Sequence, residues 1–186
     1  MIVSKEELRE RIALTEKKMM YLSHTLEKMK KELNEYSVFD GVEYYSALPY
    51  RSNVSHKLLE FAQAGEYGEI FWFQGKEVPK EMLEGEGILK DLEGKNWRCG
   101  ILKMEPNKCY NWHVDTDRKV AINMLLSHGV SHCVFMTGSQ EQNIDIKELV
   151  YEPDTYYVLN TKKPHMVLNL DQTRFMFSVE IMEWEI

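Results

Sequence analysis

A chain of 186 residues with 44% hydrophobic content is long enough for one well-packed core and an appendage. Its net charge of −7 is spread along the chain, so no basic stripe points to nucleic acid as a partner. No apolar run approaches the roughly 20 residues of a membrane span, the N-terminus lacks a signal-peptide core, and Cys99, Cys109 and Cys133 are odd in number and scattered, which fits reduced thiols in the cytoplasm better than a disulfide framework or a zinc site.

Ser4 and Glu7 have the capping-box spacing, so a helix is predicted to start there. Apolar or semi-apolar residues then recur at Leu8, Ile12, Thr15, Met19, Leu22, Leu26, Met29, Leu33 and Tyr36. The steps alternate four and three, which is a heptad seam carried over about four heptads. The predicted helix, residues 1–37, would be roughly 45 Å long, too long to lie wholly against a small barrel. Two readings fit it: a coiled coil that joins subunits into a homo-oligomer, and a long helix whose seam packs partly on its own domain.

A second domain is predicted over residues 38–186. Val42 to Ser46 reads as a short strand, and Asn53 to Ala64 as a helix closed by Gly65. Glu69 to Gln74 is apolar and aromatic and reads as a buried core strand, with a substrate-side wall as the other reading. Pro79 suits the first turn of a helix running to Leu92. Gly85 and Gly87 interrupt that helix, so a loop over a site is the other reading.

From Trp97 onward the pattern is that of strands: Trp97–Met104, Tyr110–His113, Lys119–Leu126, His132–Met136, Leu149–Tyr151, Tyr156–Leu159, His165–Asn169 and Arg174–Glu183. Turn residues such as Pro106-Asn107, Pro153-Asp154, Lys163-Pro164 and Asp171-Gln172 separate them. Short strands so spaced predict a mainly β fold with helices, a sandwich or jelly roll.

The chemistry centres on His113-Val114-Asp115. In a strand, residues i and i+2 share a face, so an imidazole and a carboxylate at this spacing can hold one metal ion from one side. His165 precedes another strand. If the two strands are neighbours, His113, Asp115 and His165 make a two-histidine, one-carboxylate triad with open coordination positions, a set suited to non-haem Fe(II). Arg174 opens an apolar strand nine residues after His165, with a hairpin turn, Leu170 to Thr173, between them. By parity Arg174, Met176 and Ser178 share a face. A guanidinium on the inner face could bind a carboxylate in two-pronged fashion.

The ordered series is specific. It runs from Trp112-His113-Val114-Asp115-Thr116-Asp117 through Pro164-His165-Met166-Val167-Leu168-Asn169 to Arg174-Phe175-Met176-Phe177-Ser178. With it, the chain from about Trp97 resembles the Fe(II)/2-oxoglutarate-dependent oxygenases, most of all their aspartyl/asparaginyl β-hydroxylase-like branch. The resemblance implies a double-stranded β-helix, a relative of the jelly roll and the cupins. It implies Fe(II) on His113, Asp115 and His165, and 2-oxoglutarate chelating the iron with its far carboxylate on Arg174. O2 would then convert the keto acid to succinate and CO2 while a substrate is oxidised. Asn123 and Ser178 are the further candidate contacts of the keto acid. Related halogenases lack the carboxylate ligand, so Asp115 favours hydroxylation.

The branch usually carries an arginine and a histidine in the strand after the H-x-D motif; here Ala121 and Asn123 stand there, and Arg118 is shifted in register. Glu180 stands where aspartate is usual. The substrate class is left open between a small molecule and a protein side chain. The competing readings are a cupin-like metal-binding isomerase or epimerase, and a non-catalytic barrel serving as a binding or assembly module. His128 and His132 are four apart, but Gly129 argues against a helical metal pair, so both read as loop residues. Cys109 reads as a core thiol, Trp112 as packing, and Tyr110 and Tyr157 as pocket walls.

Overall fold

The computed structural model describes residues 41–70, 73–116, 118, 120–129, 131–137 and 145–181, together with Ile12, Thr15, Glu16, Lys18, Met19, Met20, Leu22 and Ser23. It divides into two units, Met1–Asp40 and Gly41–Ile186. In the first, the described residues are helical and exposed. The remainder of the predicted 1–37 helix and of its heptad seam lies outside the described residues. No helix among the described residues is long and apolar enough to cross a membrane.

The second unit is mainly β. Its strands are β1 (Tyr45–Arg51), β2 (Gly68–Ile70), β3 (Phe73–Glu77), β4 (Trp97–Met104), β5 (Lys108–His113), β6 (Val120–Leu125), β7 (Ser131–Thr137), β8 (Asp145–Leu149), β9 (Thr155–Asn160), β10 (His165–Asn169) and β11 (Arg174–Ile181). Helices are α1 (Ser55–Gln63), a 3-10 turn (Lys80–Leu83) and the short α2 (Leu89–Leu92). Seven strands form one sheet in the order β1-β9-β6-β11-β4-β3-β2, and four form another in the order β5-β10-β7-β8. Every neighbouring pair is antiparallel.

The large sheet is apolar on both faces, and this is why β6, β9 and β11 read as nearly unbroken apolar runs. Register places Ile122, Val179 and Cys99 in one row of the outer face, and Met124, Phe177 and Ile101 in the next. Leu58 and Ala62 of α1 are buried, as are Leu83, Ile88 and Leu92, and α1 approaches β11. The inner face meets the small sheet: Tyr157 and Leu159 of β9 pack with Cys133 and Phe135 of β7 and Leu149 of β8. Each such large side chain contributes about 1.5–3 kcal/mol on burial. The polar inner-face residues described below therefore sit in a wall that is otherwise apolar.

Several elements differ from expectation. Glu69 to Gln74 is a hairpin of β2 and β3, with Glu69 paired to Gln74, and not one strand. The first strand lies at Tyr45–Arg51, displaced from Val42–Ser46 because Ala47, Ser46 and Tyr45 find partners on β9. Pro79 to Leu92 is broken into a 3-10 turn and one helical turn, with Gly85 at φ +83° between them. It packs Leu83, Ile88 and Leu92 inward, so it is a piece of core. The strand expected at Leu149–Tyr151 ends at Leu149. His132 lies on β7, beside the Glu148 carboxylate, and not in a loop. Cys109 is exposed on β5 and not in the core.

Candidate metal centre

β10 lies between β5 and β7 and brings His165 directly opposite His113. The pairing of β5 with β10 then slips: His165 faces His113, but Val167 faces Tyr110. Asn111 and Trp112 therefore stand opposite Met166 alone, which is a β-bulge. The bulge has a visible effect on side-chain direction. Tyr110 and His113 are an odd number of residues apart, yet their ring centroids are 3.8 Å apart and both line the inner cavity. Asn111 supports the irregular backbone, its Oδ1 accepting the Trp112 N–H at 2.8 Å. Trp112 is left half-exposed, away from the cavity.

Asp115 reaches the site differently from the expected strand parity. β5 ends at His113, and Asp115 lies beyond it in extended loop. Its N–H donates to the Thr161 carbonyl at 3.0 Å, and Lys162 Nζ donates to the carbonyls of Asp115 and Thr116. These contacts dock the loop on the turn that precedes His165. Asp115 Oδ1 then lies 3.5 Å from His113 Nε2. One ligand atom each from His113, Asp115 and His165 falls within 4.8 Å of the others, a spacing able to hold a metal ion.

The surroundings fix the state of each ligand. Nδ1 of His113 lies 2.7 Å from the Asn111 carbonyl, and Nδ1 of His165 lies 2.9 Å from the Lys163 carbonyl. A carbonyl only accepts, so each ring carries a proton on Nδ1 and keeps Nε2 as the atom available to a metal. Burial lowers the His165 pKa, against the upward pull of the Lys163 carbonyl, which favours the neutral ring that a metal needs. Arg118 Nε donates to Asp115 Oδ2 at 2.5 Å, and its Nη1 to Glu180 Oε1 at 2.8 Å. Oδ2 is thereby occupied and Oδ1 left for a metal.

The same cavity contains Arg174. Its side chain is buried, paired in register with Met104 on β4, and its Nε has no hydrogen-bond partner among the described residues. The Tyr151 hydroxyl is buried beside Arg174 and Asn123. Burial pushes that phenol far up, with the contacts to Arg174 and Asn123 pulling the other way, so Tyr151 stays neutral. A buried guanidinium with a donor left without an acceptor suits a carboxylate. Asn123 lines the cavity too, but its Oδ1 accepts from Ser178 Oγ at 2.7 Å. Ser178 does not line the cavity; it positions Asn123. Arg118 lines it and is turned to Asp115, while Ala121 is buried and offers no polar atom. Tyr157 is core, its hydroxyl accepting the Glu152 N–H, and not a pocket wall.

The enclosed volume is about 50 Å³, room for one or two waters. A dicarboxylate needs more. Met104 and Met176 line the cavity beside Arg174, and methionine side chains repack readily. Nothing in the spacing signals Tyr151, which follows a strand end; Arg118 stands near the H-x-D motif but shifted in register, so the spacing leaves open whether it contacts the keto acid.

No sequence-family model and no curated protein matches the chain. Solved structures do. A prolyl-4-hydroxylase from Pseudomonas putida matches with a TM-score of 0.58 at 15% identity, over 79% of this chain and 97% of that one. A prolyl hydroxylase from Trichoplax adhaerens, in complex with a hypoxia inducible factor peptide fragment, matches with a TM-score of 0.59 at 12% identity, over 85% and 93%. HygX from Streptomyces hygroscopicus, bound to nickel, 2-oxoglutarate and hygromycin B, matches with a TM-score of 0.53 at 9% identity, over 76% and 85%. The chain has the fold of these oxygenases. At such identities the likeness is one of fold, and the reading of the site rests on its own geometry.

Proposed function

We propose that the protein is an Fe(II)- and 2-oxoglutarate-dependent dioxygenase that hydroxylates its substrate. One observation carries the reading: His113 and His165, whose ligand atoms lie within 4.8 Å of each other and of Asp115, line the same inner cavity as the buried Arg174, whose Nε has no partner among the described residues. A metal site alone needs no buried arginine. A keto acid that chelates a metal with one end needs a cation for the other.

Fe(II) and 2-oxoglutarate, when bound, would supply the oxygen chemistry, with the keto acid leaving as succinate and CO2. The chain's own groups hold and orient. His113 and His165 would bind through Nε2 and Asp115 through Oδ1, leaving part of the coordination sphere open. Arg118 would keep Asp115 to one oxygen. Arg174 and Tyr151 would take the distal carboxylate. Leu102, Leu159, Val167 and Met176 line the remaining wall and keep bulk water out. The carboxylate ligand itself, Asp115, favours hydroxylation over halogenation. The finer likeness to the aspartyl/asparaginyl branch rests on the ordered motifs.

The test is anaerobic addition of Fe(II) and 2-oxoglutarate with detection of the metal-to-ligand charge-transfer absorbance, followed by oxygen and measurement of succinate. A folded protein that gives neither would refute the reading. We also propose that residues 1–37 form a coiled coil joining copies of the chain, on the strength of their heptad seam. Sedimentation of a chain lacking the first 36 residues should show a smaller species, and an unchanged state would count against it.

A further inference from the structure

The inner face of the large sheet continues past the metal cavity into an open groove lined by Gly75, Glu77, Arg98, Gly100, Ser178 and Glu180. Register accounts for the shared face. Glu77 pairs with Gly100, Gly100 with Ser178, and Arg98 with Glu180, so these positions alternate in phase with Arg174 and Met176. Leu102 lines both the groove and the cavity, which makes the groove the cavity's open extension. Its floor is bare backbone at Gly75 and Gly100. A Cβ on Gly100 would come within 2.9 Å of the Lys76 carbonyl oxygen.

Two opposite charges border that floor. Arg98 Nε donates to Glu180 Oε2 at 2.6 Å, and the other oxygen of Glu180 is held by Arg118, which in turn holds Asp115. The Arg98 side chain is 67% exposed, and its two Nη atoms have no partner among the described residues. Glu77 is exposed, and its carboxylate makes no hydrogen bond or ion pair among the described residues. The two charges sit on adjoining strands yet do not pair with each other. A guanidinium pinned at Nε presents a preorganised fork to a carboxylate, and a nearby free carboxylate suits an ammonium group.

We propose that this groove seats the substrate, and that the substrate is a free α-amino acid or closely related amino-carboxylate, its carboxylate on Arg98 and its ammonium on Glu77. The proposal rests on the oxygenase reading for the reaction, and on the groove alone for the binding. A residue within a polypeptide carries neither free group, so the groove favours a small molecule over a protein side chain.

The experiment is calorimetric titration of the full chain, metal-free and with Ni(II) plus 2-oxoglutarate, against the twenty free L-amino acids, each beside its methyl ester and N-acetyl form. Ni(II) permits no turnover, so binding is read by itself. At least one free amino acid should bind, and its two blocked forms about tenfold or more weaker, as expected for loss of a charge-assisted pair. Arg98→Gln should weaken the free acid and leave its methyl ester unaffected. Glu77→Gln should weaken the free amine and leave the N-acetyl form unaffected. The charge-transfer absorbance with Fe(II) reports separately on the oxygenase reading: its absence sinks that reading and leaves the titrations to decide the groove. The groove proposal is overturned if no free amino acid binds, if blocked forms or short peptides bind as tightly, or if both folded variants bind like the parent.

Discussion

Arg174→Met should stabilise the ligand-free protein while disabling it as a binder of 2-oxoglutarate. Arg174 is only 5% exposed and its Nε has no partner among the described residues, and an unsatisfied buried donor costs about 1–3 kcal/mol. Methionine fits the same apolar neighbourhood, between Met104 and Met176, and adapts to irregular space. At the low end, about 1 kcal/mol, the melting temperature of a chain this size rises by about 2–4 °C. Ligand reverses the order. 2-Oxoglutarate at a hundred times its Kd adds about 2.7 kcal/mol to the parent protein, or about 5–11 °C. The variant, without a charge-assisted contact worth about 2–5 kcal/mol, gains little at that concentration. Thermal melts with Ni(II), with and without 2-oxoglutarate, should therefore show the two proteins exchanging rank. A variant that melts below the parent without ligand, or that gains as much from 2-oxoglutarate, refutes the reasoning.

His113→Ala should abolish Ni(II) binding by calorimetry and the Fe(II)/2-oxoglutarate absorbance together, since it removes the imidazole that faces His165 across the β5–β10 pair. Burial pushes the thiols of Cys99 and Cys133 up to about 11. At pH 8 only about a thousandth of either is thiolate, so iodoacetamide followed by mass spectrometry should mark the exposed Cys109 first. These thiols ionise more readily when unfolded. Their contribution to stability is complete below the unfolded pKa, about 8.5, and lost as pH rises towards 11. Denaturant midpoints should fall over that window, and Cys133→Ala should flatten the fall. Asn169 Nδ2 lies 3.0, 2.9 and 2.7 Å from the carbonyls of Met104, Glu105 and Gln172. Asn169→Ala should cost about 1–3 kcal/mol by urea unfolding, with Ni(II) affinity unchanged.

The strands that could be read from sequence were those bounded by turn chemistry. Trp97–Met104 and His165–Asn169 emerge with the ends predicted for them, each stopping at a Pro- or Asp-bearing turn. The β2–β3 hairpin was hidden because the sequence between the two strands carries no turn residue. The 79–92 segment was ambiguous for a physical reason: glycines break it, yet Leu83, Ile88 and Leu92 still anchor it in the core. At the site, His113, Asp115, His165 and Arg174 were nameable because each sits in a short motif. Their convergence needed the pairing of β5 with β10, which no local pattern encodes. Parity was also carried one step too far, since β5 has ended before Asp115 and a loop docked on Thr161 does the placing. Arg118 could not be assigned from spacing, because its second partner, Glu180, lies 62 residues away. Asn169, part of the recognised motif, turns out to tie a hairpin and not to touch the cavity.

The extra residue in β5 has a consequence for how this scaffold tolerates insertions and deletions. Asn111 and Trp112 occupy the place of one residue opposite Met166, so the phase of the strand is reset between Tyr110 and His113. Loss of one codon there would let β5 pair regularly with β10, with Tyr110 and His113 two residues apart on one face and the imidazole still opposite His165. The backbone ladder and the facing of the two histidines would both survive. A single in-frame deletion inside the bulge is thus one this scaffold can absorb, whereas an added or lost residue in the regular part of β5 would turn the imidazole outward.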